Sequence, residues 1–291
     1  MIFTMNIVRK ILIVLTVLVI LVASLAFDAF YSAPSRFIVR YETLESIYIP
    51  EGMNDVSILY FSDLEYGPFM DEKRLTKLVN TINNLSPDVV IFGGDIFADD
   101  YSPNTEEINT VSSLLKNIEA PLGKFAVLGD NDQVTLDDMG TSKGLLYDAD
   151  FEVLDNSSVL IRNYGSDSIT LVGLQNGVNG YVDVDTAYEN TSRSAYTITI
   201  CHTPDTVKDV PTDLTKYFLA GHSHGGQAFY GFGALYTPSG ANYYFRGQHT
   251  VNSTITLDIT SGVGTVIKDV RFLANAEVVM YRLKHKSIMA E

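Results

Sequence analysis

The sequence predicts an α/β domain, two packed sheets flanked by helices, preceded by an N-terminal transmembrane helix. Three observations lead there. Apolar strand-like runs alternate with helical periodicity through residues 56–128, the rhythm of βαβ units and a largely parallel sheet. After residue 158, short strands follow one another with little helix between them. An unbroken apolar stretch stands at the basic N-terminus.

That stretch runs from Ile11 to Phe27 and is interrupted only by Thr16 and Ser24. A helix of that length rises roughly 25 Å, just short of a hydrocarbon core. Arg9 and Lys10 precede it and Asp28 follows. The positive-inside rule then leaves residues 1–10 as a short cytoplasmic N-terminus and puts the large domain outside the cell membrane, on a single pass. Ser24-Leu25-Ala26 offers a signal-peptidase site as the rival reading, but the run is long for a cleaved signal, which favours an uncleaved anchor over residues 11–27.

With 291 residues and 46% hydrophobic content, the chain can build one large domain beside the anchor. Its net charge of −15 argues against a nucleic-acid partner, because that binding depends on Lys and Arg neutralising phosphates. Cys201 is the only cysteine, so no intrachain disulfide forms.

Residues 28–54 read as a stalk and a first strand, with Phe37-Ile38-Val39 and Ile47-Tyr48-Ile49 as strand candidates. Residues 55–285 form the main domain. Strands are expected over 56–61, 89–92 and 125–128, separated by helices over 71–84 and 106–118 whose apolar residues recur at helical spacing. The second half adds strands at 158–162, 168–172, 196–200, 217–219, 235–236, 251–259 and 277–283. Residues 175–195, rich in Asn, Gly and Asp, read as a loop near the site.

Metal-ligating side chains stand where these strands end. They are Asp63 and Glu65, Asp95 after Gly93-Gly94, Asp130 after Gly129, His202 after Cys201, and His222 and His224 in Gly221-His222-Ser223-His224-Gly225-Gly226. Side chains just past the carboxyl ends of parallel strands converge on one crevice. Alternating side-chain direction puts both histidines of a His-x-His pair on one side of an extended segment. Each motif alone is weak, and the constellation is strong: only five histidines occur, and three fall in it. His249 and His285 read as surface or packing residues.

The order and spacing resemble the calcineurin-like metallophosphoesterase superfamily, and most of all its membrane-anchored bacterial branch. Pro87 to Asp95, Gly221 to Gln227, Ser261 to Gly264 and Arg271-Phe272 carry that likeness across residues 40–285. The resemblance implies a metallophosphoesterase-like β-sandwich of two mixed sheets and a phosphatase or phosphodiesterase activity. It also implies a dimetal centre: Asp63, Glu65, Asp95 and His224 on one ion, and Asp95, Asp130, His202 and His222 on the other. In the family a metal-bridging hydroxide attacks phosphorus in line.

Three positions depart from the family pattern. Glu65 replaces a His and Asp130 replaces an Asn, so the ligand count is kept while the centre becomes carboxylate-rich and formally neutral. Such a set prefers Mn²⁺, Mg²⁺ or Fe to Zn²⁺. Asn131 stands where the family has the His that assists the leaving group, and Asn gives no proton. Asp132 or a metal-bound water is the expected substitute. The substrate expected is an envelope or lipid-linked phosphoester. The alternative is a metal-binding pseudoenzyme that recognises a phosphorylated ligand without efficient turnover.

Overall fold

The computed structural model describes residues 2–287 except 232 and 235. Its first element is α1 (Ile2–Phe27), longer than the 11–27 run alone because the helix also takes in residues 2–10. An apolar helical stretch over Ile7–Ser35 is long enough to cross a membrane; its most apolar part is exposed, while Ala29, Ala33 and Pro34 near its end are buried.

Among the described residues twelve strands follow, in two six-stranded sheets. The first sheet contains β1 (Ile38–Ser46), β2 (Ser57–Phe61), β3 (Val89–Phe92), β4 (Lys124–Ala126), β5 (Glu152–Val153) and β12 (Glu277–His285). Its order is β1-β12-β2-β3-β4-β5, with β2 through β5 parallel and β12 antiparallel to β2. The second contains β6 (Ser157–Arg162), β7 (Ser168–Gly173), β8 (Thr197–Ile200), β9 (Tyr217–Ala220), β10 (Gly247–Val251) and β11 (Ile255–Ile259). Its order is β10-β11-β9-β8-β7-β6, with β11, β9, β8 and β7 parallel and antiparallel strands at both edges. Both sheets are therefore mixed, as expected.

The two-residue period of a strand divides the core. Ile58 and Tyr60 of β2 meet Ile198, Ile200 and Leu219 of the opposite sheet in the sandwich interior. Leu59 and Phe61 point the other way, onto α2 (Glu72–Leu85), α3 (Thr105–Lys116) and α4 (Leu136–Asp148). α2 buries Leu75, Leu78, Val79 and Ile82 and is capped by Asp71, whose side chain accepts from the Arg74 N–H. α3 starts with a complete capping box between Asn104 and Glu107.

Four local expectations change. Residues 47–49 form a turn, and β1 is one strand over 38–46 because all nine of its residues pair in register with β12. Residues 251–259 are two strands, since Asn252 and Ser253 take left-handed backbone and reverse the chain into the β10–β11 hairpin. α4 has no counterpart in the periodicity: it buries only Ser142, Leu145 and Leu146 and carries Gly140 and Gly144. Its Thr135–Asp138 capping box starts it, and packing on α3 and β5 holds it. A short helix, α5 (Val184–Tyr188), interrupts the 175–195 loop. Of the 235–236 strand expectation, Leu235 lies outside the described residues.

Candidate metal centre

The seven side chains named from the sequence come together at one end of the sandwich. Asp63 and Glu65 follow β2, Asp95 follows β3, Asp130 follows β4, His202 follows β8, and His222 and His224 follow β9. They fall into two groups, Asp95–Asp130–His202–His222 and Asp63–Glu65–His224, and within each group the ligand atoms lie within 4.8 Å of one another. All are buried except Asp130, which is partly open. His202 Nε2 is 3.9 Å from Asp63 Oδ1, so the groups adjoin.

Local backbone aims these side chains. Asp63, Glu65, Asp95, His222 and His224 all have φ between 50° and 67°. Non-glycine residues seldom adopt that region, at a cost of order 1–3 kcal/mol each. The turns persist because they are pinned to each other. The Asp63 N–H donates to the Gly94 carbonyl at 2.9 Å, the Glu65 N–H to the Asp95 carbonyl at 3.1 Å, and the His222 N–H to Asp63 Oδ1 at 2.8 Å. Gly129 must be glycine, because a Cβ there would collide with the Asp95 carboxylate. Strain concentrated on candidate ligands is what a preorganised site requires.

The donor set fits metal ions. His202 Nδ1 lies 2.7 Å from the Gly93 carbonyl and His222 Nε2 lies 2.7 Å from the Ser239 carbonyl. Each ring then donates its N–H outward and turns a bare lone pair inward. His202 Nε2 meets Asp95 Oδ2 at 3.0 Å and Asp130 Oδ1 at 3.2 Å, and His222 Nδ1 meets Asp130 Oδ1 at 2.9 Å. Yet His202 Nε2, Asp130 Oδ1 and Glu65 Oε1 are buried with no hydrogen-bond partner. Lone pairs facing carboxylates without a proton between them repel, and a cation resolves that.

Electrostatics agree. Burial pushes the Asp95 carboxyl up to about 8; His202 opposes this, and Asp130 adds to it. Burial and then the Asp63 charge push Glu65 well above the carboxylate range. Burial alone would lower His202, but Asp95, Asp130 and Asp63 together hold it well above the usual imidazole value. For Asp130, burial raises the carboxyl and contacts with His202 and His222 outweigh it, holding it low.

Without metal, these shifts predict a pH dependence. Asp95 binds its proton more tightly folded than at its ordinary 3.8, so that contribution is lost as pH rises toward about 8. His202, also raised, adds in the same direction. Asp130, depressed, acts only below its ordinary value of 3.8. Calorimetry of chelator-treated protein should show Tm falling between about pH 5 and pH 8. Metal replaces the protons, so Mn²⁺-loaded protein should hold its Tm, with about 2.7 kcal/mol of added stability at free metal 100 times Kd. Parallel curves with and without Mn²⁺ would rule this out.

Asn131 and Asp132 divide. The Asn131 N–H donates to Asp95 Oδ1 at 3.0 Å, and its side-chain amide lies 3.4 Å from Glu65 Oε2 and from the Phe97 carbonyl. It therefore borders the centre and a cleft of about 440 Å³ lined by Phe97, Tyr101, Pro103, Ile108 and Val134. Asp132 also lines this cleft, and it is buried with both oxygens engaged. Its two oxygens accept from the N–H groups of Asp95 (2.8 Å), Gly129 (2.9 Å) and Ile96 (3.0 Å), and from Ser142 Oγ at 3.3 Å. It clamps the two turns that carry Asp95 and Asp130.

Three neighbours escaped the motifs. Tyr236 packs its ring edge-on to His224 at 5.6 Å, and burial, then the charge of Glu65, keeps its phenol protonated. Asn176 is buried and donates to the Gly129 carbonyl at 3.1 Å, while Asn179 donates to the Asp130 carbonyl at 2.9 Å. All three reach the site from loops without periodicity. His249 Nε2 lies 3.0 Å from the Arg246 carbonyl and His285 Nδ1 2.7 Å from the Ile49 carbonyl, away from the centre.

Comparison with known proteins follows the geometry. No family model matches the chain. The metallophosphoesterase YkuE of Bacillus subtilis is 29% identical over 260 residues, covering 87% of this chain and 88% of that protein. A metallophosphoesterase of Aquifex aeolicus is 27% identical over 269 residues, covering 88% and 96%. A Danio rerio transmembrane protein with a metallophosphoesterase domain is 26% identical over 247 residues, 81% of this chain and 55% of that one. Among solved structures, the calcineurin-like phosphoesterase YfkN from Bacillus subtilis overlays with a TM-score of 0.43 at 15% identity, covering 72% of this chain and 82% of that one. With two bacterial metallophosphoesterases aligned along nearly their whole length, and two groups of candidate ligating side chains in the crevice, the chain is similar to metallophosphoesterases over most of its sequence.

Proposed function

We propose that this chain is a membrane-anchored, metal-dependent phosphoester hydrolase. The observation that carries the reading is the buried convergence of seven side chains in two groups, with unpartnered lone pairs facing one another. Asp63, Glu65 and His224 with Asp95 would hold one divalent ion. Asp95, Asp130, His202 and His222 would hold a second, with Asp95 shared. Two such ions supply charge neutralisation at phosphorus and an activated water. The chain's own residues do the rest. The Gly93 and Ser239 carbonyls fix the tautomers of His202 and His222. Asp132 holds the Asp95 turn in place. Tyr236 keeps its proton and can donate beside His224, while Asn131 has no proton to transfer. Four carboxylates among seven ligands favour Mn²⁺, Mg²⁺ or Fe over Zn²⁺.

α1 supports a membrane location, and Arg9 and Lys10 on its N-terminal side support an extracytoplasmic domain over residues 55–285. An envelope or lipid-linked phosphoester is the substrate class that such an anchor suits.

Full-length protein in detergent, loaded with Mn²⁺, is assayed on an activated aryl phosphate monoester and the matching diester, with bound metal counted by elemental analysis. Two ions per chain with turnover of either ester is the expected result. Two ions without turnover of either would leave a metal-binding protein of another function, the pseudoenzyme alternative.

A further inference from the structure

The chain enters the domain at the end that carries the seven side chains. Ile38 of β1 pairs opposite Glu277 of β12, and Val279 of β12 pairs opposite Tyr60 of β2. Continued across the sheet, that register sets Ile38 level with Ser62, the residue before Asp63, two strands and roughly 10 Å away. No loose tether separates anchor from domain. α1 continues through a π-helical turn over Asp28–Ser32 and a 3₁₀ turn over Ala33–Ser35, and β1 starts at Ile38.

This junction is braced. The Arg271 N–H donates to the Ala29 carbonyl at 2.9 Å, Lys77 Nζ to the Ser35 carbonyl at 2.6 Å, and Arg36 pairs with Asp28 at 2.7 Å. The buried Arg271 guanidinium also donates to the Gly262 and Gly264 carbonyls. A Cβ on Gly262 would stand 2.7 Å from that of Asp63. The outer end of the anchor thus contacts a segment that itself packs on a candidate ligand.

Where that segment meets solvent it is apolar. Ile267 is 72% exposed and Leu273 is 60% exposed, and both sit in left-handed backbone, with φ of 60° and 53°. A β-branched or bulky side chain in that region is a strained outlier. Phe27, Phe30 and Tyr31 at the outer end of α1 are also exposed, the composition of an interfacial belt. Strained, exposed apolar side chains beside the exit of a membrane helix match insertion into the interface that the same helix sets.

We propose that the end of the sandwich bearing the seven side chains faces the bilayer crossed by α1, with Ile267 and Leu273 seated in its interface, so that the centre takes phosphoesters lying in that same membrane. The orientation stands on topology and exposure; only the last clause rests on the hydrolase reading.

The test uses full-length protein in phosphatidylcholine nanodiscs. Single labelling sites are introduced as Ile267→Cys, Leu273→Cys and, in the turn between β6 and β7 at the far end, Ser166→Cys; native Cys201 is buried and escapes labelling. Nitroxide lipids should quench fluorophores at 267 and 273 and spare 166. No quenching at 267 and 273, or equal quenching at all three, overturns the orientation.

A second arm compares an aryl phosphate bearing an acyl chain, which partitions into the disc, with the same aryl phosphate lacking it. Asparagine accepts left-handed backbone, so Ile267→Asn with Leu273→Asn keeps the fold. It should lower turnover of the acylated ester roughly tenfold, the equivalent of one lost buried apolar side chain. Turnover of the soluble ester should not change. An unchanged rate on the acylated ester, or an equal fall on both, overturns the membrane-substrate clause. No turnover of either ester by the unaltered protein defeats the hydrolase reading and leaves the quenching result standing.

Discussion

Asp95→Ala abolishes turnover while leaving the metal-free fold intact. Asp95 belongs to the group with Asp130, His202 and His222, its Oδ2 3.0 Å from His202 Nε2 and its Oδ1 accepting the Asn131 N–H at 3.0 Å. Alanine removes the one carboxylate that both ions would share. The loss should exceed the 10- to 100-fold that removal of a partner merely orienting a ligand costs in affinity or activity. Stability should move differently. In metal-free protein near pH 8, the Asp95 carboxylate is buried among Asp130 and Glu65, whose charges oppose its ionisation. Its removal relieves that crowding, so the variant should melt no lower than the parent there. Elemental analysis, kcat/KM and calorimetry at pH 8 separate the effects. Unchanged turnover would remove Asp95 from the centre.

Asp132→Asn marks the contrast between a ligand and a clamp. One of its oxygens becomes an amide NH₂ facing backbone donors, leaving at least one N–H unpaired at about 1–3 kcal/mol. Metal affinity should fall about 10- to 100-fold, with turnover recovering at high Mn²⁺. Asp95→Ala should not recover.

The second large effect is a gain. Asn131→His places an imidazole beside Glu65, at the mouth of the cleft lined by Phe97 and Tyr101. The Asn131 side chain gives up only two contacts of 3.4 Å, so little is lost in the exchange. General acid assistance is worth on the order of 10² to 10⁴ in rate when the leaving group is poor. Turnover of an alkyl phosphate should therefore rise by a factor in that range, and that of a nitrophenyl phosphate far less. Kinetics on the two esters across pH, with Mn²⁺ saturating, check this. An equal change on both would show that Asn131 does not limit protonation of the leaving group.

Much of this site was legible because its residues follow strands. An apolar run ended by Ser62-Asp63, by Gly93-Gly94-Asp95 or by Gly129-Asp130 announces both the strand and the side chain beyond it. The His222–His224 pair sits on a turn rich in glycine. The bonding of Asp132 was hidden for a physical reason. From the sequence Asp132 is one more carboxylate beside the site, and only the fold shows that backbone N–H groups take both its oxygens. Tyr236 and Asn176 carry no periodic signal, because loops are ordered by what they pack against. α4 stayed hidden because a helix with two glycines and a thin buried face is stabilised by its caps and neighbours more than by its own pattern.

By itself, the sequence determined the alternation of strands and helices, the apolar N-terminal helix and the seven candidate ligating side chains, because each is a local pattern of burial or a local end of a strand. Tertiary structure alone decided three things. It split the seven into two adjoining groups, since that depends on β8 and β9 of one sheet meeting β2, β3 and β4 of the other. It put five of them in left-handed backbone, a conformation stable only because opposing turns hydrogen-bond across the crevice. It also joined α1 to the sheet at the edge where those side chains lie, because the position of β1 is set by pairing with β12, more than two hundred residues away in the chain.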